Sequence, residues 1–447
     1  MANMSGNPEI QRFYDRLFRQ NERVMKFGLE AISKVIKPQD YSYPHILIGG
    51  TNGKGHVSAL MANAAYLLGY RTGLFTSPHL VDFCERIRVD GLILPKDLVA
   101  SCGWQVLREF GGDADPAFTG TTLTYFECCL VMALRLFKQE SVNFGVFEVG
   151  LGGRLDATNA LDPAISVITS IGLDHQNYLG DTPGQIAHEK AGIMRAGRPV
   201  VCGRTQRDTL RKEAEIHQCS SFDALGESFD WRASGSQIEL VTGDAVIPMH
   251  GAQDLAPFQR DNAAVAFFAL LKAHEIGLIK GDIHRVLADL IVRTKWVGRM
   301  YRCSARSAQN LNVRQVILDG GHNIDGVRAF VRAVRESDDH GPHALILNSC
   351  RDKSIEQMFP LYFDAFAPEQ IFVVKCSKTP RMCDPLEYCQ RAGLNASQSC
   401  GSFDEAFEKA SKIATSQGTV YISGSLYLIG EAIERLDETE ALASILI

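Results

Sequence analysis

A two-domain α/β protein is the expectation for this 447-residue chain, and three observations carry it. The length exceeds what a single hydrophobic core usually serves. Short β-branched runs alternate with segments of helical period almost throughout, which is the βαβ pattern of a mostly parallel sheet. That series then begins a second time after Trp296-Val-Gly-Arg299, which puts a domain boundary near residue 297.

In the first series the strand candidates are His45–Ile48, Gly73–Phe75, Phe144–Val149, Ile165–Thr169 and Val200–Cys202, with amphipathic segments between them. A helix is expected over Val57–Leu68, directly after a glycine-rich loop. From Ile238 to Met249 polar and apolar residues alternate around Thr242-Gly-Asp, which predicts a small hairpin. A long helix, Gln259–Ala273, follows. The second series reads Gln315–Leu318, Ala344–Leu347, Ile371–Val374 and Thr419–Ile422, each with a helical segment behind it. Residues 1–296 are thus expected to form a P-loop-type, mostly parallel sheet domain with a small β appendage and an N-terminal helix. Residues 297–447 are expected to form a smaller, Rossmann-like α/β domain.

Composition narrows the partners. A net charge of -6 provides no basic footprint for nucleic acid, so an anionic ligand needs a local site. Apolar runs such as Ala264–Leu271 fall short of a bilayer span, and the first ten residues lack a basic and apolar leader. A cytoplasmic, monomeric protein without membrane contact is the expectation. Twelve scattered cysteines with no C-x-x-C spacing argue against zinc and redox chemistry, and read as reduced thiols filling apolar space.

The chemistry concentrates in Ile46-Leu-Ile-Gly-Gly-Thr-Asn-Gly-Lys-Gly-His56. Glycines let the backbone turn and leave amide N–H groups open, and Lys54 adds a positive charge at a helix start, which together suit a multiply charged anion. The loop departs from G-x-x-x-x-G-K-[ST], because Ile48 stands at the first glycine and Gly55 at the hydroxyl position. By itself the stretch is equally readable as a strand-to-helix turn with an exposed lysine.

Further landmarks follow in order: Ser77-Pro-His-Leu80, Glu85-Arg-Ile87, Leu123-Thr-Tyr-Phe-Glu127, Glu148-Val-Gly-Leu-Gly-Gly-Arg-Leu-Asp-Ala-Thr-Asn159, Thr169-Ser-Ile-Gly-Leu-Asp-His175 and Glu189-Lys-Ala-Gly-Ile193. Trp296-Val-Gly-Arg299, Asp319-Gly-Gly-His-Asn323 and Gly424-Ser-Leu-Tyr-Leu428 complete the set. Together they resemble the folylpolyglutamate synthase and dihydrofolate synthase family, a branch of the Mur-type ligases.

The resemblance implies an ATP-dependent ligase joining L-glutamate to a pteroate or folate carboxylate, with dihydropteroate or a reduced folate as the acid. It implies that Gly50, Thr51, Asn52, Gly53, Lys54 and Gly55 hold the phosphates. Asn262 would meet the base, and Arg299, Asp319 and His322 would make further nucleotide contacts. Ser77, Glu148 and His175 would hold one or two Mg²⁺ ions. Lys54, Lys190 and His175 would serve catalysis, with Lys190 carbamylated. Thr124, Phe126, Arg154 and Asp156 would line the pterin side, and Lys353 is a weaker nomination. The end of one expected strand at Glu148, and the position of His175 after another, independently favour the carboxyl edge of the sheet, where α/β proteins bind ligands.

Three positions depart from the family's pattern: His56 in place of the serine after G-K-G, Cys128-Cys129-Leu130 in place of a more polar stretch, and Gly321 and Ile324 in place of alanine and proline. Two rivals stand beside the folate reading, a Mur-type ligase for another acid and a degenerate nucleotide-binding module. A dinucleotide oxidoreductase is set aside because Leu155 occupies the third glycine of G-x-G-x-x-G.

Overall fold

The computed structural model describes residues 8–21, 28–112, 119–243, 245–337 and 339–447. The first seven residues, inspected above for a leader, and Asp244 of the expected turn lie outside these. Two compact units emerge, Ala2–Lys295 with Ser444–Ile447, and Trp296–Ala443.

The first unit is built on an eight-stranded sheet. Its strands are β1 (His45–Gly49), β2 (Thr72–Phe75), β3 (Ile87–Val89), β4 (Leu92–Ile93), β5 (Phe144–Glu148), β6 (Ile165–Ile168), β7 (Pro199–Cys202) and β8 (Ser221–Ala224). They lie in the order β4-β3-β2-β5-β1-β6-β7-β8, with only β3 and β4 antiparallel to their neighbours. Every residue of β1, β2 and β5 is buried, which is why they read as continuous apolar runs instead of alternating ones. Gly73 makes room for the neighbouring helix Tyr125–Gln139, since a Cβ there would stand 2.8 Å from the Phe137 ring. From β1 the chain passes to β2 on one side and later to β6 on the other, so the order reverses around β1. Such a reversal opens a crevice at the carboxyl ends of the strands.

The β appendage is larger than the hairpin read from the sequence. It is a three-stranded antiparallel sheet in which β10 (Gln237–Thr242) pairs with β11 (Ala245–Pro248) and also with β9 (Phe229–Ser234). The strand β9 is not among the strand candidates read from the sequence, although Phe229, Trp231 and Ala233 alternate with Asp230, Arg232 and Ser234 along it. Phe229, at its start, stacks on Phe268 with ring centroids 4.1 Å apart, tying the appendage to the helix Pro257–Glu275.

The second unit carries a six-stranded sheet, ordered β12-β13-β17-β14-β15-β16. Its strands are β12 (Tyr301–Arg302), β13 (Gln315–Asp319), β14 (His343–Leu347), β15 (Ile371–Val374), β16 (Ser399–Cys400) and β17 (Thr419–Ser423). All neighbours are parallel except β12 against β13. Phe330, Tyr362, Phe366 and Tyr421 form an aromatic centre, with Phe330 and Phe366 stacked 6.2 Å apart.

One feature of the chain path has no counterpart in the sequence reading, which runs the second domain through to residue 447. The last four residues rejoin the first unit. Ile445 N–H donates to Gly91 O at 3.0 Å, and its carbonyl accepts from Lys295 N at 2.8 Å. Its side chain is buried beside Gly91. Ile445→Ala is therefore expected to destabilise the first unit by about 3 kcal/mol, the usual cost of a buried isoleucine truncated to a methyl. Chemical denaturation followed by tryptophan fluorescence measures it, and an unchanged midpoint would remove the tail from the unit's core.

Twelve cysteines are free, ten of them buried, in keeping with the apolar-filler reading. No helix among the described residues is long and apolar enough to cross a membrane.

Candidate active site

The glycine-rich loop leaves the end of β1 and enters the helix Lys54–Leu67, which begins inside the loop, three residues earlier than the period suggested. Two glycines are required by geometry. Gly50 has φ +141°, and a Cβ there would lie 2.0 Å from Thr169 Oγ1. Gly53 has φ +90°, and its Cβ would lie 2.3 Å from Asn262 Oδ1. Asn262, on the helix Pro257–Glu275, is thereby placed directly against the loop.

Two lysines converge on one carbonyl. Lys54 Nζ donates to Gly50 O at 3.1 Å and to Thr51 O at 3.3 Å, and Lys190 Nζ donates to Gly50 O at 2.8 Å. Lys190 is not the exposed helix lysine that its sequence context suggests; it is 4% exposed. Burial, reinforced by the Lys54 charge, pushes its ammonium down to about 7. His56 follows on the first helical turn and is also buried.

Parallel register brings the metal candidates to the same edge. Ile48 stands opposite Glu148, so the Glu148 carboxyl is level with the start of the loop. Glu148 is buried, and its Oε2 accepts from Ser77 N at 2.9 Å. His175 lies at the end of the segment after β6, half exposed, with its backbone N–H on Asp174 Oδ1 at 2.9 Å. Among the described residues no group of three or more His, Cys, Asp or Glu side chains is arranged to hold a metal unaided. Mg²⁺ takes one or two protein oxygens and completes its octahedron with water and phosphate, and the Glu148 carboxylate and the Ser77 hydroxyl are oxygens of that kind.

Of the four residues expected to line a pterin side, Thr124 caps the helix Tyr125–Gln139 in a reciprocal pair with Glu127, whose carboxylate accepts Thr124 N at 2.7 Å. Phe126 packs on Phe75, 5.6 Å between centroids, and occupies the space where a Gly150 side chain would stand. Arg154 pairs with Glu189 at 2.8 Å on a half-exposed surface. Asp156 is buried and organises its own loop, accepting from Leu151 N at 2.9 Å and Thr158 N at 3.0 Å. Desolvation raises its carboxyl while these donors oppose the rise.

In the second unit Asp319 ends β13, fully buried, and accepts from Gly321 N at 2.8 Å and Met300 N at 3.0 Å. Arg299 donates to Gly298 O at 3.0 Å and lies beside Gly320, where a Cβ would come 2.3 Å from its Nη1. His322 Nδ1 stands 2.8 Å from Gly320 O. Arg299, Asp319 and His322 are therefore clustered at one strand end. Lys353 follows β14 on an exposed turn.

Sequence reading passes over Thr169, Ser170 and Gly172, which bond the phosphate loop directly. Thr51 N–H donates to Ser170 O at 2.6 Å, and Asn52 N–H to Ser170 Oγ at 3.1 Å. Thr169 Oγ1 donates to Asn52 O at 2.6 Å, and Thr51 Oγ1 to Gly172 O at 3.2 Å. Contacts between residues more than a hundred positions apart leave no periodic trace in a sequence.

Comparison with known proteins agrees with this geometry. Residues 298–426 match the family described as Mur ligase, glutamate ligase domain. A dihydrofolate synthase/folylpolyglutamate synthase from Buchnera aphidicola subsp. Schizaphis graminum is 28% identical over 433 residues, covering 94% of each chain. The solved structure of Escherichia coli FolC in complex with DHPP and ADP superposes with a TM-score of 0.80 at 26% identity, covering 98% of this chain and 100% of that one. A bifunctional folylpolyglutamate synthase/dihydrofolate synthase with Mn, AMPPNP and L-glutamate bound gives a TM-score of 0.76 at 25% identity, covering 95% of this chain and 98% of that one. A phosphate-loop unit followed by a glutamate-ligase unit is the plan of a Mur-type ligase. The chain belongs to that superfamily, and along nearly its whole length it is similar to its folylpolyglutamate synthase/dihydrofolate synthase members.

Proposed function

We propose that this protein joins L-glutamate to a pteroate or folate carboxylate at the expense of ATP. The observation that carries the reading is the phosphate loop itself, an open helix start with Lys54 and Lys190 on one carbonyl beside the Glu148 edge.

A carboxylate is a poor acyl donor because resonance stabilises it and oxide is a bad leaving group. In the reaction its oxygen attacks the γ-phosphorus, the bond to the bridging oxygen breaks, and ADP departs. The amine of glutamate then attacks the acyl carbon, a C–N bond forms, the C–O bond to phosphate breaks and a proton is released. Lys54 and the amides at the start of the helix Lys54–Leu67 would bind and orient the phosphates and offset their growing charge. Asn262, whose side chain lies against Gly53, would meet the base. By the family resemblance, Arg299, Asp319 and His322 would make further nucleotide contacts. Thr124, Phe126, Arg154 and Asp156 would shape the pterin side, the last two by holding the loop after β5.

Ser77, Glu148 and His175 would hold Mg²⁺, which when bound neutralises phosphate charge. Lys190 would be carbamylated: its neutral amine adds to CO2, a C–N bond forms, and a proton goes to solvent. An amine held near 7 is about half unprotonated at neutral pH, against on the order of one part in a thousand for an ordinary lysine, and the addition requires that neutral form.

Purified protein given ATP, Mg²⁺ and glutamate, with dihydropteroate in one reaction and tetrahydrofolate in another, should yield a product one glutamyl residue heavier in at least one of them by mass spectrometry. Nucleotide consumption with neither product would overturn the substrate assignment. Glu148→Gln should shift the Mg²⁺ titration of ATP turnover about tenfold to higher concentration, since one anionic ligand is lost. A superimposable titration would take Glu148 out of the metal site.

A further inference from the structure

The stretch Thr169-Ser-Ile-Gly172 enters the site as no more than the lead-in to His175, yet it is bonded to the phosphate loop residue by residue. Ser170 contributes on both its atoms. Its carbonyl accepts from Thr51 N at 2.6 Å, and its hydroxyl accepts from Asn52 N at 3.1 Å while donating to Asn52 O at 3.0 Å. On either side, Thr169 Oγ1 donates to Asn52 O at 2.6 Å, and Gly172 N donates to Thr51 Oγ1 at 3.1 Å. The stretch is itself anchored. Ile168 is paired with Gly49 across β1 and β6, and Ile171 N donates to Thr205 Oγ1 at 2.6 Å.

These bonds engage the amides of Thr51 and Asn52. An anion on the loop therefore meets the amides at the start of the helix Lys54–Leu67 instead. A loop with glycines at positions 50, 53 and 55 is otherwise soft, and each conformer it visits reduces the fraction ready to bind.

We propose that Ser170 is a positioning residue for the nucleotide: a latch that holds the phosphate loop in its anion-ready shape, working through Thr51 and Asn52 without touching the ligand. The proposal rests on the ligase reading above, and it assigns the lead-in to His175 a task separate from that histidine.

The test is binding of MgADP by calorimetry and steady-state kinetics in MgATP, with thermal unfolding of each variant alongside. Ser170→Ala should raise the MgADP Kd and the KM for MgATP about tenfold, as expected for two lost hydrogen bonds, with kcat nearly unchanged. Ser170→Thr, which keeps the hydroxyl, should restore both. Thr205→Val loosens the same stretch from its outer side and should move Kd the same way by about threefold, which keeps the proposal testable if Ser170→Ala folds poorly. Unchanged Kd and KM in well-folded Ser170→Ala, or in Thr205→Val, would overturn the latch, as would a fall in kcat at constant KM. Failure of the unaltered protein to bind MgADP would instead overturn the ligase reading, and the latch with it.

Discussion

Lys54→Ala is expected to lower ATP-dependent ligation on the order of a thousandfold while leaving the fold intact. The side chain touches the loop carbonyls of Gly50 and Thr51 and lies half-buried, so its removal disturbs little packing. Its charge is what the phosphates would lose. Removing one preorganised donor from a developing anion typically costs about 10²–10³ in rate, and a full positive charge sits at the upper end. Single-turnover measurement of phosphate release, with circular dichroism to establish folding, decides it. Wild-type turnover in folded Lys54→Ala would mean that the loop is a turn and no more.

The second large effect belongs to Lys190. Lys190→Met should abolish ligation to a similar degree, on the order of 10²–10³, with partial recovery when acetate stands in for the missing carbamate. Isotope-labelled bicarbonate should give a carbamate resonance in the unaltered protein that is missing from Lys190→Met. The same residue makes a prediction about stability. Burial lowers its ammonium from the ordinary 10.5 to about 7, so the native chain gives up this proton well before the unfolded chain does. Across that window the unfolded state binds the extra proton, and this residue's contribution to stability rises with pH by about 1.4 kcal/mol per unit. Below about pH 7 both states are protonated, and the cost of burying the charge persists in full. Denaturant midpoints measured from pH 7 to 9 under CO2-free buffer should climb in the unaltered protein and climb less in Lys190→Met. Parallel curves would mean that Lys190 keeps an ordinary amine.

Much of the site was legible because its parts are local. The glycines of Gly50 to Gly55 mark a sharp turn by spacing alone, since glycine adopts φ of +141° and +90° without strain, and the ordered motifs downstream make it an anion loop. Strand ends at Glu148 and Asp319 follow from where apolar runs stop. Thr124 and Glu127 were visible as part of a motif, but their reciprocal capping bonds assign them a helix start. Lys190 was legible only through its motif; on periodicity it is a surface lysine, and nothing local reveals that it is buried under Gly50.

Alternation of short buried runs with amphipathic segments was enough to determine two α/β units and the edge of each sheet where ligands gather, because burial on both faces of a parallel sheet imposes its own composition. Tertiary structure alone decided that Ser444–Ile447 returns to the first unit and that Ser170 grips the phosphate loop. Each of those depends on hydrogen bonds between distant segments, whose donors and acceptors are backbone groups or small hydroxyls that every sequence carries. Their pairing is set by how the elements pack, and it leaves no signature in residue type or period.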